Sequence, residues 1–353
     1  MRCLVAVLAA AVFGARGDVR AFESSDTSPQ SKVVDLALPT DNDALFHGGG
    51  PGFYQVIERN YRGVKSTPWE GGQYGFVREP VPTRRGIVYI RFHEGIDIRP
   101  LQRDARGEPL DVVRAIADGR VVYVNPVPAH SDYGQYVVIE HRWAGSSYYS
   151  LYAHLSDVTV RPDEKVARRQ QIGVMGYTGS GINQQRAHLH LELDLMLSRH
   201  FQSWYDTFRK EEPNHHGLYN GINLKGLDIA RLYLALARKP SLTIPEFVAG
   251  DQTFYKVALP NSGHFDLVEL YPWLLRQTVG ATAGSWEVSF TRSGLPLAVE
   301  PRPHAVAQPE LTWIKSSAID YGNLTQDYVA GLGKSAHLAK QGEEFMQLLI
   351  WPR

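Results

Sequence analysis

The stretch His188-Leu189-His190-Leu191-Glu192-Leu193 alternates ionisable and apolar residues without a break. In an extended strand successive side chains point to opposite faces. That geometry puts His188, His190 and Glu192 on one face and three leucines on the other. The leucines supply a core face, and the ionisable row must look onto something polar. A strand of this kind aims a histidine pair two residues apart in one direction without side-chain strain, which suits metal ligation. Alone, a pair of this spacing is weak evidence.

Upstream, His93-Glu94-Gly95-Ile96-Asp97 offers a histidine and a carboxylate four positions apart. His93-Glu94 imitates the start of the helical HExxH zinc motif, but Asp97 stands where its second histidine belongs, so that reading fails. Two histidines and one carboxylate, with a fourth position left for water, are the ligand set of an open catalytic zinc site. A third histidine, His154, lies between the two segments in Leu151-Tyr152-Ala153-His154-Leu155.

Around these motifs the pattern is β. Between about Arg84 and Leu197, runs rich in β-branched and aromatic residues (GIVYIRF, GRVVYVN, YGQYVVIEH, SSYYSLYAHL, QIGVMGYTG, HLHLELDL) recur between turn signals. Many short strands at this spacing predict a mainly β, compact antiparallel domain. Residues 225–239 (KGLDIARLYLALARK) place apolar side chains at helical spacing, and Pro240 ends the run. Beyond about Ser241, LTIPEF, TFYKVALP, SWEVSFT and LPLAVEP predict a second β-rich unit, and GEEFMQLLIW fits helix or strand equally. Upstream, residues 18 to about 43 read as a loose polar arm, and Phe46 to Arg78 as a Gly-rich collar.

The chain has 353 residues, 43% of them hydrophobic, which is enough for a real core and predicts two or three units. Lys+Arg and Asp+Glu both number 37, so no excess of charge argues for nucleic acid or an anionic membrane surface. Met1-Arg2, the apolar run Cys3 to Phe13 and Gly14-Ala15-Arg16-Gly17 read as a signal peptide, residues 1–17. Cys3 is the sole cysteine and stands at the start of the apolar run rather than after it, which argues against a lipoprotein. Removal of the signal would leave no cysteine, excluding disulfides and thiolate ligands, so His, Asp or Glu must hold any metal. No other segment is apolar for long enough to span a membrane.

The ordered segments HEGIDI, ADGRVVYV, YGQYVVIEH, YYSLYAHLS, IGVMGYTG and AHLHLEL closely resemble lysostaphin/LytM-type zinc metallopeptidases, which cut peptidoglycan peptides. The resemblance covers roughly residues 84–197. It implies Zn2+ held by His93, Asp97 and His190, with His154 and His188 as flanking catalytic histidines whose separate roles stay open. It also implies a β fold of the duplicated hybrid motif type with the site in a groove, and hydrolysis of peptide cross-links by a zinc-activated water. The resulting division is a signal peptide (1–17), arm and collar (18–83), metallopeptidase domain (84–200), loop and short helical insertion (201–240), and a C-terminal β-rich unit of unknown role (241–353). A secreted or periplasmic monomer of the cell envelope is expected. The competing reading is a catalytically silent, peptidoglycan-binding regulator of other wall hydrolases, against which all five site positions are filled.

Two segments depart from the family pattern: Arg99–Val112 is long, and Arg186-Ala187 stand where Gly-Pro often precedes HLH. Both bear on groove shape. Glu192 is expected either to orient an imidazole or to face solvent, His141 to be structural or a groove residue, and Tyr89 to pack in its strand rather than to donate a hydrogen bond near the site. His215-His216 fall in a polar loop. Of the C-terminal aromatics, Phe254, Tyr255, Tyr271, Trp273, Trp286 and Trp313 are expected to pack rather than to line a glycan surface. Asn323-Leu324-Thr325 matches a glycosylation sequon by composition.

Overall fold

The strand Leu189–Met196 is the axis of a seven-stranded antiparallel sheet. The structure is a computed structural model that describes residues 33–55, 60–61, 64–65, 69–276 and 283–352. The signal peptide expected at 1–17 and the arm through residue 32 lie outside the described residues. One edge of the axial strand pairs with Ser146–Ala153, and the sheet continues through Tyr136–Trp143 and Gly119–Asn125 to Lys165–Val166. Two short strands share the other edge: Ile96–Ile98 opposite Leu189–Leu191, and Leu224–Gly226 opposite Asp194–Met196. A three-stranded sheet of Val112–Arg114, Gln171–Met175 and Leu155–Val158 lies alongside. The hairpin Gly75–Thr83/Gly86–His93 delivers the chain into HEGID. The fold is mainly β, and every strand ladder among the described residues is antiparallel.

The alternation of HLHLELDL does the sorting. Leu189, Leu191, Leu193 and Leu195 are fully buried in the main core with Ile96, Ile98, Val137, Ile139 and Tyr152. Burial of each such side chain is worth about 1.5–3 kcal/mol. The other face is buried too: His190, Glu192 and Asp194 lie beneath the surface, beside a second apolar cluster that includes Tyr136, Leu151 and Leu224. The polar row therefore faces an enclosed charged layer rather than open solvent.

Two expectations change, and the role of the collar becomes visible. Residues 225–239 are not one helix: Leu224–Gly226 is a strand, and Asp228 caps the helix Ile229–Arg238 by accepting from the Arg231 N–H. Pairing with Asp194–Met196 overrides the local helical period. From residue 33 the arm is docked rather than loose, with Val34, Ala37 and Asn42 buried and the Tyr233 hydroxyl donating to the Ala37 carbonyl at 2.7 Å. The collar is also structural. Phe53 is fully buried, and the Gln55 N–H donates to the Asp97 carbonyl at 2.8 Å, extending the ladder at HEGID.

Residues 241–352 carry a four-stranded sheet, in the order Pro296–Arg302, Ser285–Phe290, Tyr255–Pro260, Glu310–Ile314. Its helices include Ile244–Ala249, Asp266–Leu270 and Lys340–Leu349, the last containing most of GEEFMQLLIW. Tyr255, Val257, Phe290 and Phe345 belong to the same core cluster as the axial leucines. Phe254, Tyr255 and Tyr271 are buried, Trp273 and Trp286 pack against that core, and Trp313 is 46% exposed. Asn323 lies in the short helix Gly322–Thr325, where the Thr325 hydroxyl is buried and bonded to the Tyr321 carbonyl. Among the described residues no helix is long and apolar enough to cross a membrane.

His141 is a core residue. Its Nδ1–H donates to the Asp118 carbonyl at 2.8 Å, its Nε2 accepts from the Ser150 hydroxyl at 2.7 Å, and its ring stacks on Trp143. Burial lowers its pKa from 6.5 to about 4. The unfolded chain therefore binds the proton first, and stability falls as pH drops from about 6.5 towards 4. Through this group alone, acidification to pH 4 is expected to remove about 3 kcal/mol. Urea unfolding at several pH values measures it, and His141→Gln should give a shallower acid limb than the wild type.

Candidate metal centre

Asp97 and His190 are directly opposed in the ladder between Ile96–Ile98 and Leu189–Leu191, which puts their side chains side by side. His190 is also opposed to Ala153, whose methyl leaves room for the imidazole. Gly95 lets HEGID pass this close to the HLH strand, because a Cβ there would lie 2.4 Å from the Leu191 carbonyl and 2.8 Å from Glu192 Cγ. His93 ends the hairpin strand and reaches the same point. His154, directly after the strand Ser146–Ala153, has φ 63, a left-handed backbone rare for residues other than glycine. That turn swings its ring toward His188, with ring centroids 4.8 Å apart.

Backbone carbonyls and one carboxylate fix the imidazoles. Nδ1 of His93 lies 2.7 Å from the Gln73 carbonyl, Nδ1 of His154 2.8 Å from Thr178, and Nδ1 of His188 2.6 Å from Arg186. A carbonyl only accepts, so each Nδ1 carries the hydrogen and each Nε2 turns inward. His190 is reversed: its Nε2–H donates to Glu192 Oε1 at 2.6 Å and its Nδ1 turns inward. His93 Nε2, His190 Nδ1 and Asp97 Oδ1 then converge at 3.0–3.1 Å from one another. At most one proton can lie among these three acceptors, so the cluster calls for a cation. The donor set, two imidazoles and a carboxylate, fits Zn2+.

The electrostatics agree. Burial alone would raise the Asp97 carboxyl, but His188, His93 and Arg78 hold it well below its usual range. Arg78 Nη2 donates to Asp97 Oδ2 at 2.6 Å while its Nε is tied to the Gly71 carbonyl. Burial and the Arg78 charge lower His93 to about 4. Burial would lower His190 as well, yet its bonds to Asp97 and Glu192 raise it to about 9. Glu192 Oε1 also accepts from the Tyr133 hydroxyl at 2.8 Å. Burial, Glu192 and Glu94 push the Asp194 carboxyl well up, which favours its protonated form beside Glu192.

The structure thus brings His93, Asp97, His190, His154 and His188 together at the floor of a cleft of about 880 Å³. One wall comes from the segment between the HLH strand and Leu224–Gly226. There His215 stacks on His130 with centroids 4.0 Å apart, and His216 Nε2 donates to the His130 carbonyl. His215 and His216 therefore line the cleft without joining the metal cluster, while Tyr89 is not among its lining residues. Sequence reading missed Arg78, which lies on the hairpin strand Gly75–Thr83, and Gln73, Tyr133 and His130, which sit in turns and loops with no periodic signal. A second group, His200, His264 and Asp266, also clusters. There His264 bridges Asp266 and Glu269, and Arg199 contacts both carboxylates, so these acceptors already have partners.

Residues 91–200 match the model of peptidase family M23. The lipoprotein NlpD of Yersinia enterocolitica is 36% identical over 89 residues, which make up 25% of this chain and 79% of that protein. The chain belongs to peptidase family M23. Other M23 relatives differ in what their names say they do. The peptidoglycan DD-endopeptidase ShyA of Vibrio cholerae is 44% identical over 64 residues, 18% of this chain and 14% of that protein. The murein hydrolase activator NlpD of Salmonella dublin is 36% identical over 90 residues, 26% of this chain and 22% of that protein. The chain spans less than a quarter of the length of these last two relatives, 14% and 22%. A crystal structure of a zinc-containing peptidase from Vibrio cholerae aligns over 40% of this chain and 36% of that one, at 29% identity and a TM-score of 0.23.

Because Glu192 sets both the tautomer and the basicity of His190, Glu192→Gln is expected to weaken zinc binding by about ten- to hundredfold. Competition against a chromogenic chelator reads this directly. Unchanged affinity would show that the carboxylate does not tune the ligand.

Proposed function

We propose that this chain is a zinc-dependent endopeptidase of the cell envelope that hydrolyses peptide bonds in peptidoglycan cross-links, with residues 84–200 as its catalytic unit. The observation that carries the reading is the convergence of His93 Nε2, Asp97 Oδ1 and His190 Nδ1 beside two further tethered histidines on a cleft floor. Membership of M23 and similarity to a peptidoglycan endopeptidase support the substrate class. The apolar N-terminal run and the lipoprotein relative support an envelope location.

Zinc held by His93, Asp97 and His190 would supply a Lewis acid for the scissile carbonyl and a water of lowered pKa. The proton work falls to the flanking histidines. His154 is pushed well below its usual pKa by burial and by His188 and His190, so its Nε2 is a bare lone pair at neutral pH. It accepts the proton of the attacking water and passes it to the leaving amine. His188, its Nδ1–H fixed on the Arg186 carbonyl, flanks the same floor with its Nε2 3.2 Å from Asp97 Oδ1 and positions the reacting groups. The cleft walls hold the peptide strand across this floor.

The activator reading has one observation behind it, the similarity to a murein hydrolase activator. A silent regulator has no use for a complete set of ligands and proton carriers with fixed tautomers, and this weighs for catalysis. The test is digestion of purified peptidoglycan with and without a chelator, with released fragments identified by mass. Cleavage should stop with the chelator and recover on adding zinc. His190→Ala should lose bound zinc, whereas His154→Ala should keep zinc and lose about 10²–10⁴ in kcat. Chelator-insensitive cleavage would remove the metal from the mechanism. A zinc-loaded protein that releases no fragments but stimulates another wall hydrolase would establish the regulator instead.

A further inference from the structure

Three arginines line the cleft: Arg78, Arg91 and Arg186. Arg78 is neutralised by Asp97, and Arg91 pairs with Glu79. The guanidinium of Arg186 donates from Nη1 to the Gly181 carbonyl at 2.7 Å, while its Nε is buried without an acceptor among the described residues. The carboxylates of the cleft floor are otherwise engaged. Glu94 takes Lys225, Glu192 takes His190 and Tyr133, and Asp132 takes the Ser180 hydroxyl. Arg186 is therefore a cation that no carboxylate pairs with among the described residues.

Its position is built. Arg186 ends the 3₁₀ turn Gln184–Arg186, capped by the Asn183 side chain, which accepts the Arg186 N–H at 3.1 Å. Arg103 donates to the carbonyls of Gln184 at 2.7 Å and Gln185 at 3.4 Å. Gln184 reaches back to Glu108 Oε1 at 2.7 Å and to the Arg106 carbonyl at 3.1 Å. The long Arg99–Val112 loop thus braces the turn that carries Arg186. These are the two segments in which the sequence departs from the family pattern, and they are bonded to each other. The Arg186 carbonyl also holds the His188 ring, so the guanidinium belongs to a residue two positions from a proposed catalytic histidine.

We propose that Arg186 is a specificity-determining residue that binds a carboxylate carried by the substrate beside the scissile amide. The proposal rests on the endopeptidase reading, and it narrows the substrate to cross-links whose nitrogen-donating residue bears a free carboxylate rather than a carboxamide or hydrogen. A planar guanidinium whose Nη2 is neither bonded nor buried among the described residues offers, with Nη1, the forked edge that a carboxylate fits.

Two synthetic cross-linked peptides, identical except for carboxylate or carboxamide at that residue, test it. Binding to the full chain is measured by calorimetry after metal removal, and cleavage is measured after zinc loading. The wild type should prefer the carboxylate peptide by about ten- to hundredfold in both readouts. Arg186→Gln should bring the ratio near one. Arg186→Lys, which keeps charge but not the fork, should recover part of it and covers the case where glutamine disturbs the turn. Equal binding of the two peptides by the wild type, no binding of either, or an undiminished ratio in both variants would overturn the proposal. Discrimination in binding with no cleavage of either peptide would overturn the endopeptidase reading and leave the role of Arg186 standing.

Discussion

The ladder that sets Asp97 against His190 is the constraint on which the rest depends. Side chains alternate along both strands, so a slip of one residue would turn the carboxylate into the core and a leucine into the cleft. Several contacts lock the register. Ile96 and Ile98 are fully buried with Leu189 and Leu191, and the Gln55 N–H takes the Asp97 carbonyl. The locked register forces a carboxylate to 1% exposure, a cost that only a nearby positive charge can offset. Arg78 supplies that charge from the preceding hairpin, and the Gly71 carbonyl in the collar holds its guanidinium. The Gly-rich collar is in this sense part of the site.

Behind the ligands a second charged layer ties the C-terminal unit to the same loop. Lys225 is buried, bonds Glu94 Oε1 at 2.8 Å, and lies 5.6 and 5.7 Å from the Tyr328 and Phe345 ring centroids. Glu94 is the residue between His93 and Gly95, so Lys225 anchors the His93–Asp97 loop from below. Tyr328 and Phe345 stack on each other at 4.8 Å and come from the last stretch of the chain. The Met196 N–H, at the end of the axial strand, donates to the Tyr271 hydroxyl at 2.7 Å. Residues 241–352 therefore complete the core beneath the site and shield its buried cation.

What was legible in the sequence follows from what local pattern encodes. The alternation in HLHLEL determines which side chains share a face, and that survives in the structure. Burial of the polar face was not legible, because the cover comes from Tyr133, the wall around His215 and the partners of Lys225, all distant in sequence. Residues 225–228 were misassigned for a related reason. Their helical spacing is real, but pairing with Asp194–Met196 outweighs it. The groups that fix three of the four imidazoles are the carbonyls of Gln73, Thr178 and Arg186, and a carbonyl leaves no side-chain signature to read.

The reversed orientation of His190 explains why a carboxylate is needed there and nowhere else around the ring. His93, at the end of a hairpin, reaches inward with Nε2. His190 lies directly opposite Asp97 and presents the nearer Nδ1, which leaves Nε2 pointing back into the charged layer, where Glu192 receives it. Without an ion, a proton on His190 is favoured by its two carboxylate neighbours. Asp97, Arg78, Glu192 and His190 then sum to zero formal charge. Binding a divalent cation displaces that proton and leaves the same group with one net positive charge. Arg186, paired with no carboxylate among the described residues, stands at the edge of the cleft. Loading would thus make the floor more positive beside that guanidinium, which favours a substrate carrying negative charge beside the bond to be cut.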